Sequence, residues 1–142
     1  MNKSKIAGIA FNVPDNIVTN HDLEKMMDTT DEWIQTRSGI KERRWVKPGV
    51  ANADLALPAC QEAIQNAGIS PDDIDAIIVG TVTSDFNFPG MAPIIQQKLG
   101  ISTHVPAYDI SAACSAFIYL LEIGDQYINL ESTIIYYLSD PT

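Results

Sequence analysis

Basic residues are scarce. Nine lysines and arginines stand against eighteen aspartates and glutamates in 142 residues, for a formal charge of −9. That balance excludes sequence-independent nucleic-acid binding, which depends on a net basic surface. The few positive charges are also unevenly placed: Arg37, Lys41, Arg43, Arg44 and Lys47 sit close together, and no lysine or arginine follows Lys98. Such an island suits a phosphate-bearing ligand as well as it suits a solvated strand or loop face. Cysteine is scarce too. Cys60 and Cys114 alone make no disulfide framework, and with no signal-like apolar N-terminus they point to a reducing, cytoplasmic setting. No apolar run is long enough to span a bilayer, because Glu122 and Asp125 interrupt the longest candidate. Of the two histidines, His21 reads as a solvent residue with no acid or nucleophile close in sequence. His104 falls in a loop, and no metal site is expected.

What is present is enough apolar content, 46 %, to bury one domain core. The stretch from Ala107 to Phe117 stands out. Val105–Ile110 reads as a short buried strand, Ser111–Ala113 as a turn of small residues, and Phe117–Tyr127 as an apolar helix. Cys114 lies at the helix start, where free N–H groups and the positive end of the dipole face the sulfur and activate it as a nucleophile. Its own N–H is positioned to face the oxyanion formed when a thioester is attacked. A cysteine after a strand also serves as a small apolar filler, and the spacing alone leaves both readings open. His104 is at the opposite end of that strand, too far for a Cys–His pair.

Taken in order, Lys5–Phe11 reads as a first strand, ended by the turn Val13-Pro14-Asp15-Asn16. A helix begins near Asn20, capped by Thr19 or Asn20, with Leu23, Met26 and Met27 facing inward. Thr29-x-x-Glu32 has capping-box spacing and opens a second helix that Gly39 closes. Trp33 and Arg37, four apart, share one face of it. They make either a platform for a purine ring, by stacking and cation–π attraction, or a core tryptophan overlain by arginine. Gly39–Val46 is extended, with Arg43 and Arg44 on opposite faces. A helix over Asn52–Asn66 has Leu55, Ala59, Ala63 and Ile64 on its apolar side. Pro58 predicts a kink or late start there, and Cys60 is packing. Ile74–Val82 is β-branched enough for a central strand covered on both faces. A loop over Thr83–Pro89 leads to a helix from Met91 to Leu99, stopped by Gly100, and Thr133–Leu138 is a last strand.

Asp109-Ile110-x-Ala112-Ala113-Cys114-Ser115-x-Phe117 resembles the active-site segment of the β-ketoacyl-[acyl-carrier-protein] synthase III family, the condensing enzymes that start type II fatty-acid synthesis. Thr19-Asn20-x-Asp22-Leu23-Glu24 and Asp28-Thr29-Thr30-Asp31-Glu32-Trp33-Ile34-x-x-Arg37-x-Gly39-Ile40 resemble the family's N-terminal signature. Phe88-Pro89-Gly90 is similar to its dimer-interface loop. The similarity runs from about Lys5 to Leu130. Two features depart from it. Ala116 stands where the family usually has glycine, and Tyr136-Tyr137-Leu138 replaces an expected valine and glycine before Ser139-Asp140.

The resemblance implies an α/β, thiolase-like fold, of which residues 1–142 are the N-terminal half: a mixed sheet with helices and a central, buried nucleophile helix. It implies Cys114 as catalytic nucleophile. It further implies that Thr29, Trp33 and Arg37 bind the adenine end of coenzyme A, and that Phe88 crosses a homodimer interface toward the partner's acyl pocket. No cofactor is held permanently. Acyl-CoA and malonyl-acyl carrier protein are the expected substrates of an acyltransferase that condenses them through a cysteine thioester. The runners-up are a polyketide-type or hydroxymethylglutaryl-type condensing enzyme, and a truncated remnant or partner-binding subunit without catalysis. The helix after Cys114 supports a missing half independently, because Ala116, Phe117, Ile118, Tyr119, Leu120, Leu121 and Ile123 leave little polar face. In the family the histidine and asparagine that complete the triad come from the second half, so this chain alone is expected to be inactive. Acyl chain length is not legible, because the pocket also uses residues outside these 142.

Overall fold

The structure, a computed structural model, describes residues 4–129 and 134–138. The described residues divide into two compact units: Val13–Val50, and those before it together with those from Ala51 to Leu138.

The Val13–Val50 unit contains β1 (Ile17–Thr19), α1 (Asn20–Glu24), α2 (Asp31–Ser38) and β2 (Glu42–Arg44), with β1 and β2 antiparallel and Val18 opposite Arg43. Thr19 caps α1, and the Asp22 carboxylate accepts the Thr19 N–H in return. The helix ends at Glu24, so Met26 and Met27 lie beyond it and are exposed; of the expected inward stripe only Leu23 is buried. Thr30 rather than Thr29 caps α2, its hydroxyl accepting the Trp33 N–H at 3.1 Å. Glu24 sets this register by accepting the Asp31 N–H at 2.6 Å, which leaves Glu32 in the first turn instead of at a capping-box position. Gly39 ends α2 in the left-handed conformation, as its position predicts.

Little apolar surface is buried here, and a polar side chain takes the central place. Asn20 is 1 % exposed. Its amide donates to Asp31 Oδ1 and to the Ile40 carbonyl, both at 2.8 Å, and its oxygen accepts from Arg43 at 2.7 Å. A buried amide with its hydrogen bonds made specifies one arrangement of the segments around it; left unpaired it would be costly. Arg43 also donates to the Val18 carbonyl while Arg44 turns to the Pro14 carbonyl, so the two arginines do point apart.

The other unit is built on a parallel sheet. In chain order it has α3 (Asn52–Ala67), a 3-10 turn over Pro71–Asp73, β3 (Ala76–Gly80), α4 (Met91–Leu99), β4 (Ala107–Ile110), a 3-10 turn over Ala113–Ser115, α5 (Ala116–Asn129) and β5 (Ile134–Leu138). The strand order is β4-β3-β5, with Ile77 beside Ala107 and Ile135. Every residue of β3 is buried, as its β-branched run predicts for a central strand. Ile77 and Val79 meet Ala53, Ala56, Cys60 and Ile64 of α3 and Met91, Ala92 and Ile95 of α4. The alternate face of β3 carries Ile78, and α5 packs there through its buried residues Ala116 and Leu120. Each large aliphatic side chain among them, fully buried, contributes about 1.5 to 3 kcal/mol. Ala116 is fully buried, so the alanine at the family's glycine position is accommodated.

Three further expectations change. α3 runs through Pro58 from Asn52, without a late start, and its core face is Ala53, Ala56, Ala59, Cys60 and Ile64, with Leu55 only half-buried. Burial of that face outweighs the local cost of an exposed proline. Lys5–Phe11 forms no strand; no described strand pairs with it. It lies along α3, with the Asn66 amide donating to the Ile9 carbonyl at 3.0 Å and Asn12 to the Leu55 carbonyl at 2.8 Å. A short apolar run becomes a strand only where a partner edge is offered. His21, though exposed as expected, does have an acid in reach: Glu24, one helical turn on, is 3.1 Å away and raises its pKa chiefly through that hydrogen bond. In the tail, Thr133, Ser139 and Asp140 lie outside the described residues.

Gly8 fits against α3 without a side chain. A Cβ there would overlap the Ala63 carbonyl oxygen and stand 2.8 Å from the Ala67 nitrogen, both of them backbone atoms of a helix that cannot yield cheaply. Gly8→Ala should therefore destabilise the fold by about 1 to 3 kcal/mol in urea unfolding. An unchanged midpoint would show that the N-terminal segment does not hold this position in solution.

Candidate active site

In an open parallel sheet, ligands gather beyond the carboxyl ends of the strands. Two connections emerge side by side at that edge. β3 leads into the loop 81–90, and β4 leads into the turn that carries Cys114; the ladder continues to their join, where Thr81 N–H donates to the Ile110 carbonyl at 3.2 Å. The loop exposes Val82, Phe86 and Phe88, the last at 90 %.

The turn is tighter than its sequence suggests. A 3-10 turn over Ala113–Ser115 comes between the strand and α5, and Cys114 sits within it, exposed, ahead of the helix proper. Ala113 has φ +46°, a left-handed backbone that costs a non-glycine residue about 1 to 3 kcal/mol and persists only where its surroundings enforce it. The sulfur is thus presented outward on a strained bend between β4, which is half-buried rather than the buried strand its apolar run predicts, and the buried first residue of α5. Chemically, this arrangement offers an accessible thiol at the ligand-binding edge of a parallel sheet.

Cys60 has the opposite environment. It is 3 % exposed in the core, and burial pushes its thiol up to about 11. No disulfide joins the two cysteines. His104 is exposed in the loop before β4, with the strand between it and Cys114. Among the described residues no group of acidic, histidine and cysteine side chains is suited to a metal ion, and no helix is long and apolar enough to cross a membrane.

A second feature belongs to the Val13–Val50 unit. Trp33 is 57 % exposed, not a core residue, and the Arg37 guanidinium lies 5.2 Å from the centre of its ring. Thr30, Glu32, Trp33, Thr36 and Arg37 line an open cleft of about 350 Å³; Thr29, half-buried, is not among them. An exposed indole with an adjacent guanidinium offers stacking and charge to a flat, phosphorylated heterocycle. Arg43 is committed to Asn20 and Val18, so the basic island is partly internal structure.

Sequence reasoning gave no role to Asp109 and overlooked Asp85. Asp109 Oδ2 and Oδ1 accept the N–H groups of Met91 and Ala92 at 2.6 and 2.7 Å, and Asp85 accepts those of Asn52 and Ala53 at 2.6 and 2.9 Å. Each carboxylate satisfies a helix start from a distant segment. The available signal was an acid inside the apolar run Ala107–Ile110, since a carboxylate there requires donors.

Comparison with known proteins agrees with this geometry. The family model for the thiolase N-terminal domain matches residues 35–133. The β-ketoacyl-[acyl-carrier-protein] synthase III of Caldanaerobacter subterraneus is 51 % identical over 87 % of this chain and 37 % of its own. The crystal structure of 3-oxoacyl-[acyl-carrier-protein] synthase III from Aquifex aeolicus superposes with a TM-score of 0.84 at 45 % identity, over 89 % of this chain and 41 % of that one. The priming β-ketosynthase of the R1128 polyketide pathway superposes with a TM-score of 0.89 at 28 % identity, covering 95 % and 41 %. The chain thus spans about two fifths of the length of these relatives.

The contrast between the cysteines gives a direct measurement. Limited iodoacetamide near neutral pH should label Cys114 and spare Cys60, since thiolate and access together govern the rate. Cys60 should react only as the pH approaches about 11. Preferential labelling of Cys60 in peptide mass spectra would count against Cys114 as the accessible thiol.

Proposed function

Because the chain belongs to the thiolase N-terminal domain family, we propose that it is the cysteine-bearing part of a β-ketoacyl-[acyl-carrier-protein] synthase III. The observation that carries this reading is the exposed Cys114 on a strained turn at the carboxyl edge of a parallel sheet. The substrates are a short acyl-CoA, acetyl-CoA in the first place, and malonyl-acyl carrier protein, with no resident cofactor.

In the first half-reaction the Cys114 sulfur attacks the thioester carbonyl. A bond forms between that sulfur and the acyl carbon, the bond to the coenzyme A sulfur breaks, and coenzyme A leaves as a thiolate that takes up a proton. Trp33 and Arg37 hold the adenine end, with Thr29 close by in sequence; the exposure of the indole and the guanidinium beside it support this role. In the second half-reaction malonyl-acyl carrier protein loses carbon dioxide, its carbanion attacks the acyl carbon, and the Cys114 sulfur departs. Covalent catalysis splits one difficult carbon–carbon bond formation into two steps. The malonyl step needs a group to polarise the thioester carbonyl. His104 is separated from Cys114 by β4, and the reading assigns that task to the part of the relatives' length that this chain does not span.

The reading also places the working enzyme in the cytoplasm as a homodimer. The exposed loop residue Phe88 supports the homodimer, while the exposed side of α5, where Phe117, Ile118, Tyr119 and Leu121 face outward, supports a missing half that covers this helix. A polyketide-priming condensing enzyme is the second reading, favoured by the superposition on the R1128 enzyme. The higher identity to fatty-acid synthases ranks it behind.

Incubation with acetyl-CoA should place an acetyl thioester on Cys114 and none on a Cys114→Ala variant, read by peptide mass spectrometry. Trp33→Ala should raise the acetyl-CoA concentration required about tenfold, in line with about 1 to 3 kcal/mol for stacking a base on an aromatic ring. With malonyl-acyl carrier protein added, acetoacetyl product should not exceed the Cys114→Ala control. Acetylation of Cys60 alone, or of neither cysteine, would sink the proposal.

A further inference from the structure

We propose that Asp109 is the positioning residue for the Cys114 thiol, holding the strained turn before it by anchoring the end of β4 to the start of α4. Three bonds make the anchor: Oδ2 accepts the Met91 N–H at 2.6 Å and the Ser84 hydroxyl at 3.1 Å, and Oδ1 accepts the Ala92 N–H at 2.7 Å. Gly90 is shaped to it, because a Cβ there would stand 2.5 Å from Asp109 Oδ2 and 2.8 Å from its Cγ. On its other edge β4 is fixed to β3 through Ile110, whose carbonyl accepts the Thr81 N–H. Just beyond lies Ala113 at φ +46°, and past Cys114 the chain is held again by the fully buried Ala116. A left-handed alanine is retained only when both flanks over-determine it. Asp109 supplies the upstream constraint.

The inference rests on the acyl-transfer reading of Cys114. Attack on a thioester requires the sulfur and the backbone around it to face the carbonyl together, so it depends on the shape of the turn. Displacement of iodide from iodoacetamide requires only an exposed thiolate, whose fraction enters both reactions alike. The two reactions at one atom therefore separate positioning from mere presence.

The test compares wild type, Asp109→Asn and Ser84→Ala, measuring acetylation of Cys114 over a range of acetyl-CoA concentrations and its alkylation by iodoacetamide in parallel. Labelling of Cys60 reports any loosening of the core. In Asp109→Asn the maximal acetylation rate should fall about tenfold or more relative to alkylation, as expected for a displaced nucleophile. The acetyl-CoA dependence should stay put and Cys60 should remain unlabelled. Ser84→Ala, which removes one bond of the three, should shift the ratio less and in the same direction. An unchanged ratio in Asp109→Asn with Cys60 protected would overturn the inference. Should Asp109→Asn expose Cys60, Ser84→Ala decides: a lowered ratio upholds the role, and a wild-type ratio overturns it. Absence of acetylation in the wild type is a separate result, which removes the acyl-transfer reading and the inference with it.

Discussion

A parallel sheet with helices leaves free N–H groups at each helix start, and in this protein distant carboxylates satisfy them. Asp109 ties the end of β4 to Met91, Ala92 and Ser84, and Asp85 ties the loop after β3 to the start of α3. A carboxylate accepting backbone N–H groups at a helix start gains from both charge-assisted bonding and the dipole. These contacts fix where the loops stand at the carboxyl edge of the sheet, and the exposed thiol stands among them. The ion pair of Lys98 with Asp54, at 2.9 Å, adds a link between α4 and α3, but at the surface such a pair contributes little.

The two units hold together by different means. One buries aliphatic side chains of α3, β3 and α4 around a strand that is covered throughout. The other buries little apolar surface and closes around the amide of Asn20, with Asp31 held below the usual carboxylate range by the hydrogen bonds from Asn20 and Gln35. A polar centre of this kind fixes geometry more than it adds net stability. That geometry leaves Trp33 and Arg37 on the surface, with the guanidinium beside an open face of the indole.

The side chains of α5 show why exposure must be read with the whole assembly in mind. Ala116, Leu120 and Gly124 are buried against the sheet, whereas Phe117, Ile118, Tyr119 and Leu121 are open to solvent. Large apolar residues side by side at a surface are the usual mark of an interaction site. The relatives this chain matches are more than twice its length, and the proposed second half gives such a face a role.

The sequence by itself determined what depends on local chemistry and on pattern. β3 was legible from a β-branched run, α4 from Met91-Ala92-Pro93 and Gly100, the end of α2 from Gly39, and the cysteine turn from its small residues between strand and helix. The family itself was legible from motifs that span most of the chain. Tertiary structure decided whatever depends on a partner distant in sequence. Lys5–Phe11 has strand-like residues but lies along α3, because pairing is a property of two segments. Thr30 displaced Thr29 as the cap of α2 because the Glu24 carboxylate fixed Asp31. Asp109 and Asp85 reach helices remote in the chain, and Asn20 gathers Asp31, Ile40 and Arg43. Local pattern records which face of a segment prefers to be buried; only the folded chain specifies which donor each buried acceptor will find.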